Sequence, residues 1–179
     1  MEEVFLKVPT IQDFPELAAY KAEFELSDDT LHGGAGLGQM SDLSAWLEHI
    51  NAIAKGRGLE AGRVPSSTFI CMRSSDNKML GICNIRHSLD QPYLLNQIGH
   101  IGYSIRPSQR RKGYAKEQLR LALMEAGKLG ISKVLVTCDE NNLASEKTIL
   151  ANGGLYENDF YNQADNKTTK RFWIEVTQR

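Results

Sequence analysis

The stretch with the clearest chemical potential runs Arg106-Pro107-Ser108-Gln109-Arg110-Arg111-Lys112-Gly113-Tyr114-Ala115. Four cations gather there, immediately before an amphipathic run that opens at Tyr114. A helix N-terminus carries about +0.5 of an elementary charge, so each exposed cation beside it costs about 0.3 to 1 kcal/mol. A bound anion reverses that balance: it accepts the free N–H groups of the first turn, gains from the dipole and neutralises the arginines. Residues that break a local rule are expected where something binds. A phosphate fits, with Gly113 leaving the backbone open to its oxygens and small Ala115 allowing the helix close to the preceding strand. The alternative is a solvated basic turn whose glycine eases the bend.

Other candidates are sparser. His87 and His100 fall on neighbouring strand-like runs and titrate nearest neutral pH, which suits a general base; a hydrogen-bonded structural role is the competing reading. Asp139 and Glu140 follow a strand, where α/β sheets tend to place ligands and where solvated loops also carry charge. Arg86 can pair with a ligand carboxylate or with Asp90. Tyr161, Phe172 and Trp173 are candidates for a pocket wall, with core packing the simpler reading of the last two. Gly33 and Gly38 have the spacing of a phosphate loop, but Gln39-Met40 follows where Lys-Ser/Thr is required. That loop is read either as a mobile cover over the site or as a surface connector.

The elements that must position these residues follow from periodicity. Val4 to Val8 reads as a strand, and a helix capped by Thr10 or Asp13, with Pro15 in its first turn, runs to about Leu26. Leu43, Trp46, Leu47, Ile50 and Ile53 mark a second helix over Asp42 to Lys55. Thr68 to Arg73 and Met79 to His87 predict an antiparallel hairpin turning at Ser74 to Asn77. His100 to Ile105 is a strand, Tyr114 to Leu129 the clearest amphipathic helix, and Lys133 to Cys138 a strand buried on both faces; together they predict one βαβ unit. A short helix from Ala144 to Asn152 precedes two strands, Leu155 to Tyr161 and Thr169 to Val176.

Size and charge bound the rest. The 179 residues predict one domain over 1–179. With 21 Lys and Arg against 22 Asp and Glu the net charge is -1, so no basic field covers the molecule and nucleic acid is not an expected partner. Cys71, Cys83 and Cys138 sit in apolar runs without ligand spacing and predict buried thiols, with no metal. The acidic start, Met-Glu-Glu-Val, and the absence of an uninterrupted apolar span predict a cytoplasmic protein off the membrane.

Arg110-x-x-Gly113-x-Ala115, after a strand and opening a helix, resembles the pyrophosphate-binding motif of the Gcn5-related N-acetyltransferase (GNAT) superfamily. Asn142-x-x-Ser145 and Asn152-Gly153-Gly154 resemble its next helix. Pro65-Ser66-Ser67-Thr68-Phe69, Asn84-Ile85-Arg86-His87, Gly99-His100-Ile101-Gly102-Tyr103 and Val136-Thr137-Cys138-Asp139 are similar to a bacterial branch whose acceptors are not established.

The resemblance implies an α/β (α+β) fold: a central mixed sheet, helices on both faces and a splay between the Gly99 to Ile105 and Lys133 to Cys138 strands. Acetyl-CoA would lie in the splay, its pantetheine arm paired with the backbone of Tyr103, Ser104 and Ile105. Arg110 belongs to the motif, N–H groups of Arg111, Lys112, Gly113, Tyr114 and Ala115 would hold the pyrophosphate, and Asn142 and Ser145 would flank the thiol end. The implied activity is direct acetyl transfer to a primary amine of a small molecule or peptide, with a homodimer as the implied assembly. Many members use a tyrosine as the acid for the leaving thiolate. Here that position is Ile149, so Ser145 or water must replace it, or no acid is needed; a non-catalytic acyl-CoA sensor is the alternative function.

Overall fold

The structure, a computed structural model, describes residues 2–177. Strand β1 (Val4–Lys7) leads into a turn where the Asp13 carboxylate accepts from the N–H and hydroxyl of Thr10 and pairs with Lys7 at 2.9 Å. Helix α1 (Phe14–Ser27) follows, burying Leu17, Tyr20 and Phe24 at spacings of three and four. Helix α2 (Leu43–Ala54) is capped by Asp42, which accepts from the N–H groups of Ser44 and Ala45, and buries Trp46, Ile50 and Ile53. The hairpin of β2 (Ser66–Arg73) and β3 (Met79–Arg86) forms as predicted, Ser66 facing Arg86. Beyond β4 (Ile101–Ile105), α3 (Tyr114–Lys128), β5 (Lys133–Asp139) and α4 (Leu143–Leu150), strands β6 (Leu155–Asn162) and β7 (Lys167–Glu175) make a second hairpin. A π-helical turn at Leu94–Ile98 has no counterpart in the sequence reading.

Four strands form one antiparallel sheet in the order β1-β2-β3-β4, and three form another in the order β5-β7-β6. Helices α1 and α2 pack on one face of the first sheet through Trp46, Ile70, Met72 and Ile82. Helix α3 covers the other face and reaches the second sheet, so Leu119, Ala122 and Ala126 share a cluster with Cys83, Val134, Val136 and Phe172. All three cysteines are free, buried thiols. No helix among the described residues is long and apolar enough to cross a membrane, and no group of three or more His, Cys, Asp or Glu side chains among them could hold a metal.

The predicted βαβ unit needs one correction: β4, α3 and β5 follow in order, but β4 and β5 share no ladder. They meet at a single bridge between Gly99 and Val136, where His100 N–H donates to Leu135 O at 2.8 Å. The imidazole then takes the next donor, Nδ1 of His100 accepting from Leu135 N–H at 2.9 Å. A side chain occupies the group that would continue the ladder, and the strands part beyond it. The single mixed sheet is therefore two antiparallel halves with the predicted splay between them.

Candidate active site

The splay opens into a cavity of about 660 Å³ lined by Tyr103 to Ile105, Gln109 to Arg111 and Gly113 to Lys116 before and at the start of α3, Asn142, Ala144, Ser145 and Thr148 at α4, and Asp29, Thr30 and His32 from the α1–α2 loop. Its floor is the free edge of β4. His100–Arg86 and Arg106–Leu80 are bonded to β3, so the two-residue alternation turns the N–H and C=O of Tyr103 away from β3 and toward the splay.

At one end lies the loop before α3. Arg111 (φ +61°) and Gly113 (φ +86°) both adopt the left-handed region, on either side of Lys112. Such alternation turns successive N–H groups to one side, into a concavity suited to anions. Gly113 is the N-cap and has no side chain to satisfy the first turn of α3, and the N–H groups from Arg111 to Lys116 find no acceptor among the described residues.

The four-cation cluster read from the sequence is corrected by burial. Arg106 is 2% exposed and sits between Glu16 and Glu23, each 3.4 Å away, with its guanidinium over the Tyr20 ring. Arg110 pairs with Asp29 at 2.6 Å, donates to Ile105 O and lies over Phe24. Both arginines therefore tie the loop to α1. Arg111 and Lys112 remain exposed at the concavity, with Lys112 donating to Gln109 Oε1 at 3.1 Å. The Tyr114 side chain is buried and donates to Glu2, leaving its N–H to serve the loop.

At the other end, Asn142 caps α4 by accepting from Ser145 N–H at 3.1 Å, which fixes Ser145 at the cavity rim. The Ser145 hydroxyl meets the Tyr103 hydroxyl at 2.9 Å. Burial pushes the Tyr103 phenol up to about 12, the bond to Ser145 opposing it, so the group keeps its proton at neutral pH. Sequence reasoning used Tyr103 only for its backbone; the signal it missed is that a residue facing the splay from β4 has α4 within reach. Ser104, two-residue alternation apart in facing, turns the other way and bonds Tyr20 and His32 O.

The glycine-rich α1–α2 loop is neither a cover nor a plain connector. Leu37 is fully buried, Gly34 O accepts from the Trp46 indole, and Gly33 (φ +74°) lies so near β4 that a Cβ there would stand 2.4 Å from Gly102 O. The loop is a packed wall against β4. On its far side lies a second cavity, of about 290 Å³, lined by Gly33, His49, Glu60, Arg63, Asn84, Arg86 and Tyr93 among others.

The histidine candidates line neither cavity. His100 is the buried tie at the base of the splay, and desolvation together with the Arg86 charge lowers its pKa to about 4. His87 bonds Ser67 Oγ at 2.8 Å, and burial lowers its pKa too. Asp139 and Glu140 are exposed away from both cavities. Phe172 is core, Trp173 donates to Glu157 and Tyr161 bonds Asn166, so none of the three forms a pocket wall. Arg86 makes no pair with Asp90; its bond is to Gly99 O at 3.2 Å. Ile149 is fully buried in the core and does not line the cavity.

Comparison with known proteins agrees with this geometry. The family described as "Acetyltransferase (GNAT) domain" matches residues 3–154. No curated protein matches the chain by sequence. Among solved structures, the ribosomal-protein-S5-alanine acetyltransferase from Vibrio fischeri is 14% identical, with a TM-score of 0.74 over 99% of this chain and 96% of that one. The Microcin C7 self immunity acetyltransferase MccE, in complex with acetyl-CoA and AMP, is 14% identical, with a TM-score of 0.70 over 98% and 94%. RimL, a ribosomal L7/L12 alpha-N-protein acetyltransferase in complex with coenzyme A, is 14% identical, with a TM-score of 0.66 over 97% and 94%.

Proposed function

The chain belongs to the GNAT acetyltransferase family, and from that premise we propose that it moves the acetyl group of acetyl-CoA to a primary amine of a small molecule or peptide, acting as one domain in the cytoplasm. The observation that carries the proposal is the arrangement around the splay cavity: unpaired N–H groups at one end, a free strand edge along the floor and a pair of hydroxyls at the other end. The solved neighbours MccE and RimL hold acetyl-CoA and coenzyme A respectively.

In this reading the N–H groups of Arg111 to Ala115 hold the pyrophosphate, with Arg111 and Lys112 supplying charge, while Arg110 acts by fixing the loop. The backbone of Tyr103 to Ile105 pairs with the pantetheine arm, which uses the β4 edge that no strand covers. Asn142 holds Ser145 in place at the thiol end. A neutral amine attacks the thioester carbonyl; the N–C bond forms, the C–S bond breaks, and the amine loses a proton as the thiolate gains one. Backbone N–H on the β4 edge stabilises the developing oxyanion, and the Tyr103 hydroxyl, relayed or assisted by Ser145, protonates the leaving sulfur.

Incubating the protein with acetyl-CoA and a panel of primary amines, while recording free thiol, tests the proposal. Saturable thiol release with an amine, matched by the acetylated product, is the expected result. Acetyl-CoA binding without release across the panel supports a sensor instead.

A further inference from the structure

The second cavity carries a charge pattern that the first does not use. Arg86 and Arg63 both line it, together with Glu60, His49, Tyr93 and Asn84. Arg86 is half-buried at the end of β3, and its one hydrogen bond is to the Gly99 carbonyl. Among the described residues neither arginine forms an ion pair, whereas Arg73, Arg106, Arg110, Arg120 and Arg171 all do. Drawing a guanidinium out of water without a counter-charge is costly, and burial and the nearby Arg63 charge lower the Arg86 pKa. Half-buried Arg86 faces the hollow with no carboxylate among the described residues in ion-pair reach, and exposed Arg63 adds a second cation to the same lining.

The hollow is placed to serve the transfer. It is separated from the splay cavity by the contact of Gly33 with β4, and Arg86 Nη2 lies 3.8 Å from where a Cβ on Gly102 would stand. Gly102 immediately precedes Tyr103, whose hydroxyl marks the thiol end. Gly102 and Tyr103 face opposite sides of β4, so an acceptor whose anion rests on Arg86 would reach the thioester along the β4 backbone, past the Gly33 contact.

On the acetyltransferase reading above, we infer that the acceptor is a small amine that also carries an anionic group, a carboxylate or a phosphate, a few bonds from its nitrogen, and that Arg86 with Arg63 recognises that anion. Arginine's planar fork suits both oxyanions. Cationic polyamines are disfavoured substrates, because two fixed positive charges repel them.

The test compares matched acceptors with acetyl-CoA saturating: lysine with cadaverine, tyrosine with tyramine, and O-phosphoethanolamine with ethanolamine. The first two pairs probe carboxylate and the third phosphate. The anion-bearing member of at least one pair is expected to show kcat/KM about tenfold to a hundredfold higher, the worth of a charge-assisted hydrogen bond. Arg86→Gln removes the preference through KM, Arg86→Lys restores part of it, and exposed Arg63→Gln weakens it; acetyl-CoA affinity stays unchanged in all three. Equal or better turnover of the decarboxylated and dephosphorylated amines overturns the inference and leaves the acetyltransferase reading standing. A preference that survives both Arg86→Gln and Arg63→Gln does the same; an absence of turnover with all six amines while acetyl-CoA still binds overturns the inference and counts toward the sensor. Failure of the wild-type protein to bind acetyl-CoA overturns both.

Discussion

The Tyr103 hydroxyl lies 2.9 Å from the Ser145 hydroxyl, joining the free edge of β4 to the first turn of α4 across the mouth of the splay. One residue thereby offers two things to the site, a backbone edge that faces the cavity and a phenol whose proton burial retains. In the proposed mechanism Tyr103, on a different element, takes the part of the acid that the family resemblance assigned to the position of Ile149.

Tyr103→Phe keeps the ring and the strand and removes only the proton donor. The expected outcome is a fall in kcat of about a hundredfold, the lower end for general acid catalysis. Acetyl-CoA affinity should be unchanged, because the pantetheine pairing uses the backbone. Ser145→Ala should give a smaller loss. Steady-state kinetics and calorimetry on the same preparations check the split.

Ile149 tests the other side of that substitution. It is fully buried among core neighbours and lines no part of the cavity, with Gly154 packed so tightly over it that a Cβ there would lie 2.5 Å from Ile149 Cγ2. Ile149→Ala is expected to cost about 2 to 5 kcal/mol in denaturant unfolding. Ile149→Tyr should overpack the core by about 1 to 3 kcal/mol and bring no gain in turnover.

Acid should loosen the splay through His100. Its ordinary value of 6.5 applies to the unfolded chain, and desolvation together with Arg86 sets it to about 4 in the fold. The unfolded chain therefore takes the proton first, so this contribution is whole above about pH 6.5 and is lost as pH falls toward 4. The total is up to about 3 kcal/mol. His100→Gln can still accept from Leu135 N–H and does not titrate. Melting curves between pH 7 and 4 should decline less steeply for the variant than for the wild type.

The fold was legible where a local signal decided it. Tyr114 to Lys128, Lys133 to Asp139 and the Ser66 to Arg86 hairpin came from periodicity and turn residues, and the loop proposed to hold an anion drew notice through cations set against a helix dipole. What stayed hidden depends on long-range contact. Nothing local marks Arg106 as buried between Glu16 and Glu23, which lie 90 and 83 residues earlier in the chain, or makes Arg110 the partner of Asp29. His87 and His100 have the right chemistry for a base, yet only their neighbours Ser67 and Leu135 reveal structural bonds. The second cavity likewise joins the α1–α2 loop, α2, the loop after it, the start of β2, β3 and the π-helical turn, six segments that no motif connects.

The central claim is that the loop from Arg111 to Ala115 holds the pyrophosphate of acetyl-CoA. Titrating acetyl-CoA into the wild-type protein and into Gly113→Glu by calorimetry tests it most directly. The variant sets a carboxylate and its bulk at φ +86°, in the concavity where the N–H groups lie unpaired, at a junction outside the core. Saturable binding to the wild type, abolished in a Gly113→Glu protein that keeps its circular dichroism spectrum and cooperative melt, is the predicted result. Equal affinity in the folded variant would contradict the account.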